Sequence, residues 1–265
     1  MPGRLTSLLH VMEWDLRRLW SEKVFVTMRF TWFAIQVLVF ARAISLIVSS
    51  RMVAGVNYYD FYLLGIYVSA LYSVSISRGY VIADEFDDGL VEYHLSLPIE
   101  RWILVLGRIL GSSLSALVFT IPMMLVVVLA IGYVNPFSLL TSILMAYVFS
   151  IGVVSLVITV VMRMKSTDIT DILFGTIDAI LVRLSSIFYP LPVIEASGLI
   201  AYYYAALANP ISSIADFLRL LLLPEYTLYA MSPQALVIYI LGFSMGLAVL
   251  AIEYYARKLE AGGWK

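Results

Sequence analysis

The sequence contains no cysteine and only two histidines, His10 and His94. The lack of cysteine excludes disulfides, thiolate metal sites and cysteine nucleophiles. Two histidines leave little material for a histidine metal site or a Ser-His-Asp triad. Charged residues make up only 13% of the chain, and the net charge of −1 provides no basic field for nucleic acid. These absences argue against a nucleic-acid-binding protein and against most hydrolases.

Nucleotide-binding motifs are also missing. The sequence has no G-x-x-x-x-G-K-[ST] loop and no H-E-x-x-H pair. We therefore expect no catalytic residue, metal site or cofactor in this chain, and any ATP and Mg²⁺ would be bound by a partner. The first 23 residues mix charged and apolar side chains, which is not the pattern of a cleavable signal peptide.

Apolar residues are abundant instead. They make up 62% of the 265 residues, with a mean hydropathy of +0.95. A helix that crosses the hydrocarbon core needs about 20 apolar residues. Six stretches qualify: 26–49, 58–82, 103–132, 138–162, 169–189 and 234–255. The sequence predicts an all-α, multi-pass integral membrane protein with one transmembrane domain over residues 1–265.

Two further segments predict helices that do not cross the membrane. Residues 4–22 place their apolar side chains at steps of three and four, which is typical of an amphipathic helix in the membrane interface. A helix packed on the cytoplasmic side of the bundle is the alternative. Residues 190–233 contain two short apolar pieces, which predict re-entrant or surface helices between the fifth and sixth spans.

The distribution of lysine and arginine predicts the orientation. Of the 17 basic residues, only Arg51 and Arg219 fall on one side of the bundle, and Arg42 and Arg183 lie inside spans. All others fall at the opposite ends of the spans or in the two termini. Because basic residues are enriched in cytoplasmic loops, we expect a cell-membrane protein with both termini in the cytoplasm.

The connection between the second and third spans, 84–98, combines acidic residues with an apolar stripe. Phe86, Leu90, Tyr93 and Leu97 follow one another at steps of four, three and four, and Pro98 would end the helix. An exposed apolar stripe favours a protein partner, because an anionic membrane surface would repel so many carboxylates. Packing against the bundle's own end is the alternative.

Small and charged residues in two spans mark a second region of interest. Gly65, Ser69, Ser73 and Ser77 recur every four residues, a spacing that promotes close helix packing and that a polar pathway would also use. Both roles would hold together if this helix lay at a dimer seam. Asp171 and Asp178 share one face of the fifth span, and Arg183 lies five residues further on. A carboxylate in the membrane needs a partner, and Arg42 is the better guess for Asp178. These aspartates could be proton sites of an ion-coupled carrier, or structural.

The order of these features resembles the membrane permease subunits of ABC type-2 transporters. Three motifs carry the resemblance. They are the acidic segment with Glu85, Gly89, Glu92, His94, Leu97, Pro98 and Arg101, the run Ser185–Pro190 followed by Pro192, and Ala208-Asn209-Pro210 followed by Asp216 and Arg219. The resemblance covers nearly the whole chain.

The resemblance implies a function and a set of partners. It implies an exporter subunit in which 84–98 is the coupling helix, with Glu85, Phe86, Gly89, Leu90, Glu92, Tyr93, His94, Leu97 and Pro98 facing a cytosolic ABC ATPase. Many members are fused to their ATPase, whereas this sequence carries no ATPase motif. The expected partners are therefore separate ATPase subunits, a second permease copy or paralogue, and lipid. An ion-coupled secondary transporter using Asp171 and Asp178 is the alternative.

Overall fold

The computed structural model describes residues 3–48, 56–132, 134–164 and 167–260, and all regular structure in these ranges is helical. The helices are α1 Arg4–Ser21, α2 Lys23–Ile35, α3 Ala41–Ile47, α4 Tyr58–Asp87, α5 Val91–Ser96, α6 Arg101–Ile131, α7 Pro136–Met164, α8 Thr167–Arg183, α9 Leu191–Ala196, α10 Ile200–Leu207, α11 Pro210–Leu222 and α12 Pro233–Glu260. A π-helical turn, Gln36–Phe40, joins α2 to α3 without a break. The sequence did not predict this turn.

Five segments of the described chain are long and apolar enough to cross a membrane. They are Lys23–Leu46, Tyr58–Ile82, Arg101–Ile131, Pro136–Met164 and Pro233–Arg257. They match five of the six predicted spans, and Pro122 lies inside α6 without interrupting it. The protein is therefore a multi-pass membrane protein by the length and composition of its helices.

The predicted fifth span, 169–189, is shorter than expected. It corresponds to α8, which ends at Arg183. Its 17 residues extend about 25 Å at 1.5 Å per residue, somewhat less than the ~30 Å hydrocarbon core. A sixth crossing would instead need α10 and α11 to act as one bent span, with 75° between them. The six-span count remains a prediction.

Helix α4 lies at the centre of the bundle. It packs against α6, α7, α8 and α11, and 72% of its most apolar stretch is buried. By contrast, the corresponding buried fraction of the α2–α3 segment is 17%. The α2–α3 segment therefore presents most of its apolar surface to lipid or to another protein.

Helix α1 runs alongside the first three turns of α6. Its buried residues, Ser7, Val11, Asp15 and Leu19, are four residues apart. The packed face therefore contains small and polar side chains as well as apolar ones. Three further apolar residues point outward, since Leu5, Leu9 and Trp20 are 69%, 54% and 76% exposed, whereas Leu8, Met12 and Leu16 are half-buried. This exposure is compatible with a helix in the membrane interface, which remains a prediction.

Three short helices, α9 to α11, occupy the connection between α8 and α12. Asn209 starts α11, because its side chain accepts a hydrogen bond of 3.0 Å from the Ile211 amide, and Pro210 fits the first helical turn, where its nitrogen needs no partner. Asn209 also donates to the Leu181 carbonyl at 2.6 Å, which ties α11 to α8. Short helices were predicted here, and their re-entrant placement stays a prediction.

Candidate functional site

A cavity of about 880 Å³ opens between α2, α4 and α8. Aromatic, charged and small polar side chains form its wall, namely Arg29, Trp32, Gln36, Tyr62, Ile66, Ser69, Ser73, Asp178, Ala179, Val182, Arg183, Phe188 and Tyr189. Trp32 and Tyr189 are 44% and 54% exposed, so the cavity is open at the surface of this chain. Its size suits a ligand of drug-like dimensions.

The first end of the cavity contains a pair of opposite charges. The Arg29 guanidinium donates a hydrogen bond of 2.7 Å to the Ser73 hydroxyl and attracts the Asp178 carboxylate. The prediction that Arg42 is the partner of Asp178 was wrong. The Arg42 guanidinium instead lies over the Tyr59 ring, 5.1 Å from its centroid. Among the described side chains, none makes an ion pair with Asp178 within 4.0 Å.

The other end of the cavity is formed where α8 stops. Arg183 is the last residue of α8, and Phe188 and Tyr189 follow in the irregular chain beyond it. The Tyr62 ring lies 5.9 Å from that of Phe188, centroid to centroid. This end therefore combines three aromatic rings with the Arg183 cation.

The predicted small-residue stripe of α4 divides between two roles. Ser69 and Ser73 line the cavity together with Asp178 and Arg183, whereas Gly65 and Ser77 do not. The Ser77 hydroxyl donates to the Ser73 carbonyl of its own helix at 3.1 Å. Asp171 is part of the same predicted set, and its side chain lies outside the described residues.

Gly65 allows a close approach between α4 and the chain that follows α8. A β-carbon at Gly65 would lie 2.5 Å from the Ile187 carbonyl oxygen and 3.0 Å from the Arg219 guanidinium.

We expect Gly65→Ala to lower the free energy of unfolding by about 1–3 kcal/mol, because a rigid carbonyl must move. Thermal denaturation in mild detergent measures the change. Gly242→Ala in α12 is the control, since no described atom lies within 4 Å of its β-carbon, and equal melting of both variants would contradict the prediction.

The predicted coupling segment 84–98 forms a helical corner. Helix α4 continues to Asp87, Gly89 turns the chain with a φ of 73°, and α5 follows from Val91 to Ser96. Leu90 and Tyr93 are 40% and 57% exposed, and Pro98 is also exposed, while Leu97 is half-buried. The side chains of Phe86 and Glu92 lie outside the described residues. The apolar stripe is therefore accessible at its centre.

The remaining predicted coupling residues, Glu85 and His94, face the bundle. Their side chains are 3% and 1% exposed, and His94 Nε2 lies 3.9 Å from Glu85 Oε2. The His94 ring also packs edge-on against Trp14 of α1, with 5.4 Å between centroids. Burial lowers the pKa of His94 below its ordinary value, so the ring is neutral near pH 7. One face of this segment thus packs against the bundle, and a protein partner on its open face stays a prediction.

Glu85 belongs to a buried ion network that sequence reasoning missed. The Arg108 guanidinium donates to both Glu85 carboxylate oxygens, at 2.7 Å each, and to the Asp15 carboxylate. Arg18 donates to Glu85 at 3.1 Å and the Ser112 hydroxyl to Asp15 at 3.1 Å. Two carboxylates and two guanidiniums thus join α1, α4 and α6. The signal in the sequence was Arg108, a cation five residues inside the predicted span 103–132, which requires a partner.

Burial also affects the pKa of Asp15 in this network. It raises the pKa of the Asp15 carboxyl to about 6, although the Arg108 charge opposes the shift.

The cluster holds fewer metal-binding groups than a metal site needs. Among the described residues, no group of three or more histidine, aspartate or glutamate side chains could hold a metal ion.

The sequence also contains a G-x-S-x-G pattern that does not form a catalytic site. Residues 242–246 have the G-x-S-x-G spacing of a hydrolase nucleophile elbow, which requires a sharp strand-to-helix turn. They lie inside the continuous helix α12, and Ser244 is 1% exposed. A β-carbon on Gly152 of α7 would lie 2.8 Å from the Ser244 hydroxyl oxygen. Ser244 therefore serves the packing of α7 against α12.

No protein-family model, curated protein or solved structure matches this chain. The resemblance to the ABC type-2 permeases therefore stays an expectation from the order of the sequence motifs.

Proposed function

We propose that this chain is the permease subunit of an ATP-driven ABC exporter, with ATP hydrolysis on separate cytosolic ATPase subunits. The observation that supports this proposal best is the continuity of α4. The same unbroken helix lines the cavity through Ser69 and Ser73, carries Glu85 in its last turn and ends at Asp87 in the corner beside α5. Ser73 and Glu85 are about 18 Å apart along the helix, at 1.5 Å per residue.

The ion network would transmit movement from the corner to the rest of the bundle. An ATPase that pushes on Leu90 and Tyr93 would displace α5 and the end of α4. Because Arg108 binds Glu85 on one side and Asp15 on the other, α6 and α1 would follow α4 as one unit. A packed, ion-paired cluster transmits displacement better than a flexible loop does.

The open side of the cavity is consistent with a second permease. Trp32 and Tyr189 are exposed there, and Leu38 of the neighbouring π-helical turn is 67% exposed. A second copy or a paralogue placed against α2 and α8 would cover this apolar surface and enclose the pathway.

The docking role of the corner can be tested with one double variant. We expect Leu90→Glu together with Tyr93→Glu to reduce co-purification of an ATPase at least about tenfold, because two charges would be buried against the partner. The measurement is affinity purification from mild detergent, with ATPase activity assayed and a Walker A sequence identified in the captured chain by mass spectrometry.

The control introduces a charge at the other end of the bundle. Tyr204 of α10 is 62% exposed, so Tyr204→Glu should leave both membrane insertion and ATPase capture unchanged. If the double variant still captures the ATPase at the wild-type level, the corner is not the docking site.

An ion-coupled secondary transporter is the second candidate. The observation that favours it is Asp178, whose carboxylate faces the cavity without an ion pair within 4.0 Å among the described residues. Proton relays use such intramembrane carboxylates. Accumulation of a fluorescent amphiphile in proteoliposomes that contain this chain alone, driven by a pH gradient and abolished by Asp178→Asn, would favour this candidate over the ATP-driven one.

A further inference from the structure

The cavity between α2, α4 and α8 is elongated along the bundle. Tyr62 and Ser73 both line it, and their separation of eleven positions along α4 corresponds to about 16 Å. A ligand that fills this length is an extended molecule. Its body would lie against Trp32 and Tyr62, whose rings present broad apolar faces with a polar edge.

The charges along the cavity do not cancel. Arg29 and Asp178 attract each other at the Ser73 end, and this pair contributes no net charge. Arg183 at the Tyr62 end forms no ion pair within 4.0 Å with any described carboxylate. The described lining therefore carries one positive charge more than it has carboxylates, and this charge attracts an anion.

An organic cation does not fit this arrangement. The described lining holds one carboxylate, Asp178, against two guanidiniums, Arg29 and Arg183, so its net charge repels a cation. A neutral molecule would gain no attraction from the Arg183 charge. The charge balance thus selects a ligand with one negative group.

We propose that this cavity binds an extended amphiphile with a single anionic group, a carboxylate, sulfonate or phosphate, held at Arg183, and an apolar body along Trp32 and Tyr62. The conclusion that such an amphiphile is the transported substrate rests on the proposed function. The conclusion that the cavity binds it concerns this chain alone. An anionic lipid of the bilayer and a dissolved anionic amphiphile share the required chemistry.

Three matched probes test the charge preference. Each carries the same dansyl fluorophore and octyl chain, and ends in a sulfonate, a hydroxyl or a trimethylammonium group. The purified chain is placed in phosphatidylcholine nanodiscs, and energy transfer from tryptophan to dansyl is titrated, with empty nanodiscs as the partition correction. Trp32→Phe isolates the signal of the cavity, because the other four of the 5 tryptophans remain in both proteins.

The sulfonate probe should bind about tenfold more tightly than the hydroxyl probe, and the ammonium probe should bind most weakly. Arg183→Gln should remove this tenfold advantage and leave the hydroxyl probe unchanged, whereas Arg183→Lys should keep most of it. Asp178→Asn should strengthen sulfonate binding. Arg42→Gln is the matched control, since Arg42 lies outside the cavity, and it should have no effect.

Two results would overturn the proposal: an ammonium probe that binds as tightly as the sulfonate, or an Arg183→Gln variant with wild-type sulfonate affinity. Arg183 is exposed, so its replacement should leave the fold intact. Replacing part of the phosphatidylcholine by phosphatidylglycerol shows whether the anionic ligand is a lipid of the bilayer or a dissolved amphiphile. Competition with the sulfonate probe indicates an anionic lipid, and its absence indicates a dissolved amphiphile.

The outcome is separable from that of the proposed function. Anion-selective binding without any captured ATPase would keep the site and reject the ATP-driven transporter. Capture of an ATPase without charge preference in the cavity would keep the transporter and reject the substrate class.

Discussion

Replacing Arg108 by glutamine is expected to lower the free energy of unfolding by about 3–5 kcal/mol, because the substitution leaves two buried carboxylates without their shared cation. Arg108 is fully buried, and Asp15 and Glu85 are 5% and 2% exposed. Their oxygens cannot be rehydrated without separating α1 from α6. Thermal denaturation in mild detergent, with size-exclusion chromatography as the readout of folded protein, measures the loss.

Two controls separate the buried network from charge in general. Arg4→Gln breaks the ion pair of Arg4 with Glu100, whose side chains are 74% and 44% exposed, and should cost less than about 1 kcal/mol. Adding Asp15→Asn to Arg108→Gln should recover part of the stability, because one buried charge is removed with its partner. If Arg108→Gln and Arg4→Gln have the same melting temperature, the buried ion network does not contribute the stability that its geometry predicts.

Much of the bundle was predictable because hydropathy depends only on composition along the chain. The stretches that contain α4, α6, α7 and α12 are continuously apolar, and the lipid environment leaves helices as the only way to satisfy their backbones. Their ends fall within a few residues of the predicted ones. The early end of α8 was not predicted. There the Ser185 hydroxyl donates to the Val182 carbonyl at 2.6 Å, and such local bonds compete with continuation of the helix.

The partner of Asp178 shows what periodicity leaves open. Helices α2 and α8 were both predicted to enter the membrane from the cytoplasmic side. The depth of Asp178 in the membrane could therefore have been compared with the depths of Arg29 and Arg42. Asp178 lies about 16 Å from the start of α8, Arg29 about 9 Å from the start of α2, and Arg42 about 28 Å from that start, at 1.5 Å per residue. Depth alone favours Arg29. The pairing of Arg108 with Asp15 lacked such a signal, because it depends on the rotation of α1 against α6. The apolar stripe of α1 does not reveal this rotation, since Leu19 is buried whereas Leu5 and Leu9 are exposed.

A substitution at the opposite end of the bundle should have an effect of similar size. Arg219→Met is expected to lower the free energy of unfolding by about 3–5 kcal/mol. Arg219 is fully buried, donates to the Ser186 and Ile187 carbonyls at 2.9 and 2.8 Å, and pairs with Asp216 at 3.0 Å. Its guanidinium also lies 3.5 Å from the Phe61 ring centroid. Methionine retains much of the volume but leaves the buried Asp216 carboxylate without its cation and removes the guanidinium donor of two carbonyl groups.

This variant also links stability to the cavity, because Ile187 directly precedes Phe188 and Tyr189 in its wall. At temperatures where Arg219→Met is still folded, the sulfonate probe should therefore bind more weakly than to wild type. Arg42→Met is the matched control: it removes another arginine that lies over an aromatic ring, but an exposed one, and should change the melting temperature and probe affinity little. A stable Arg219→Met variant with unchanged probe binding would mean that the chain after α8 is held by the packing of Gly65 and not by the buried guanidinium.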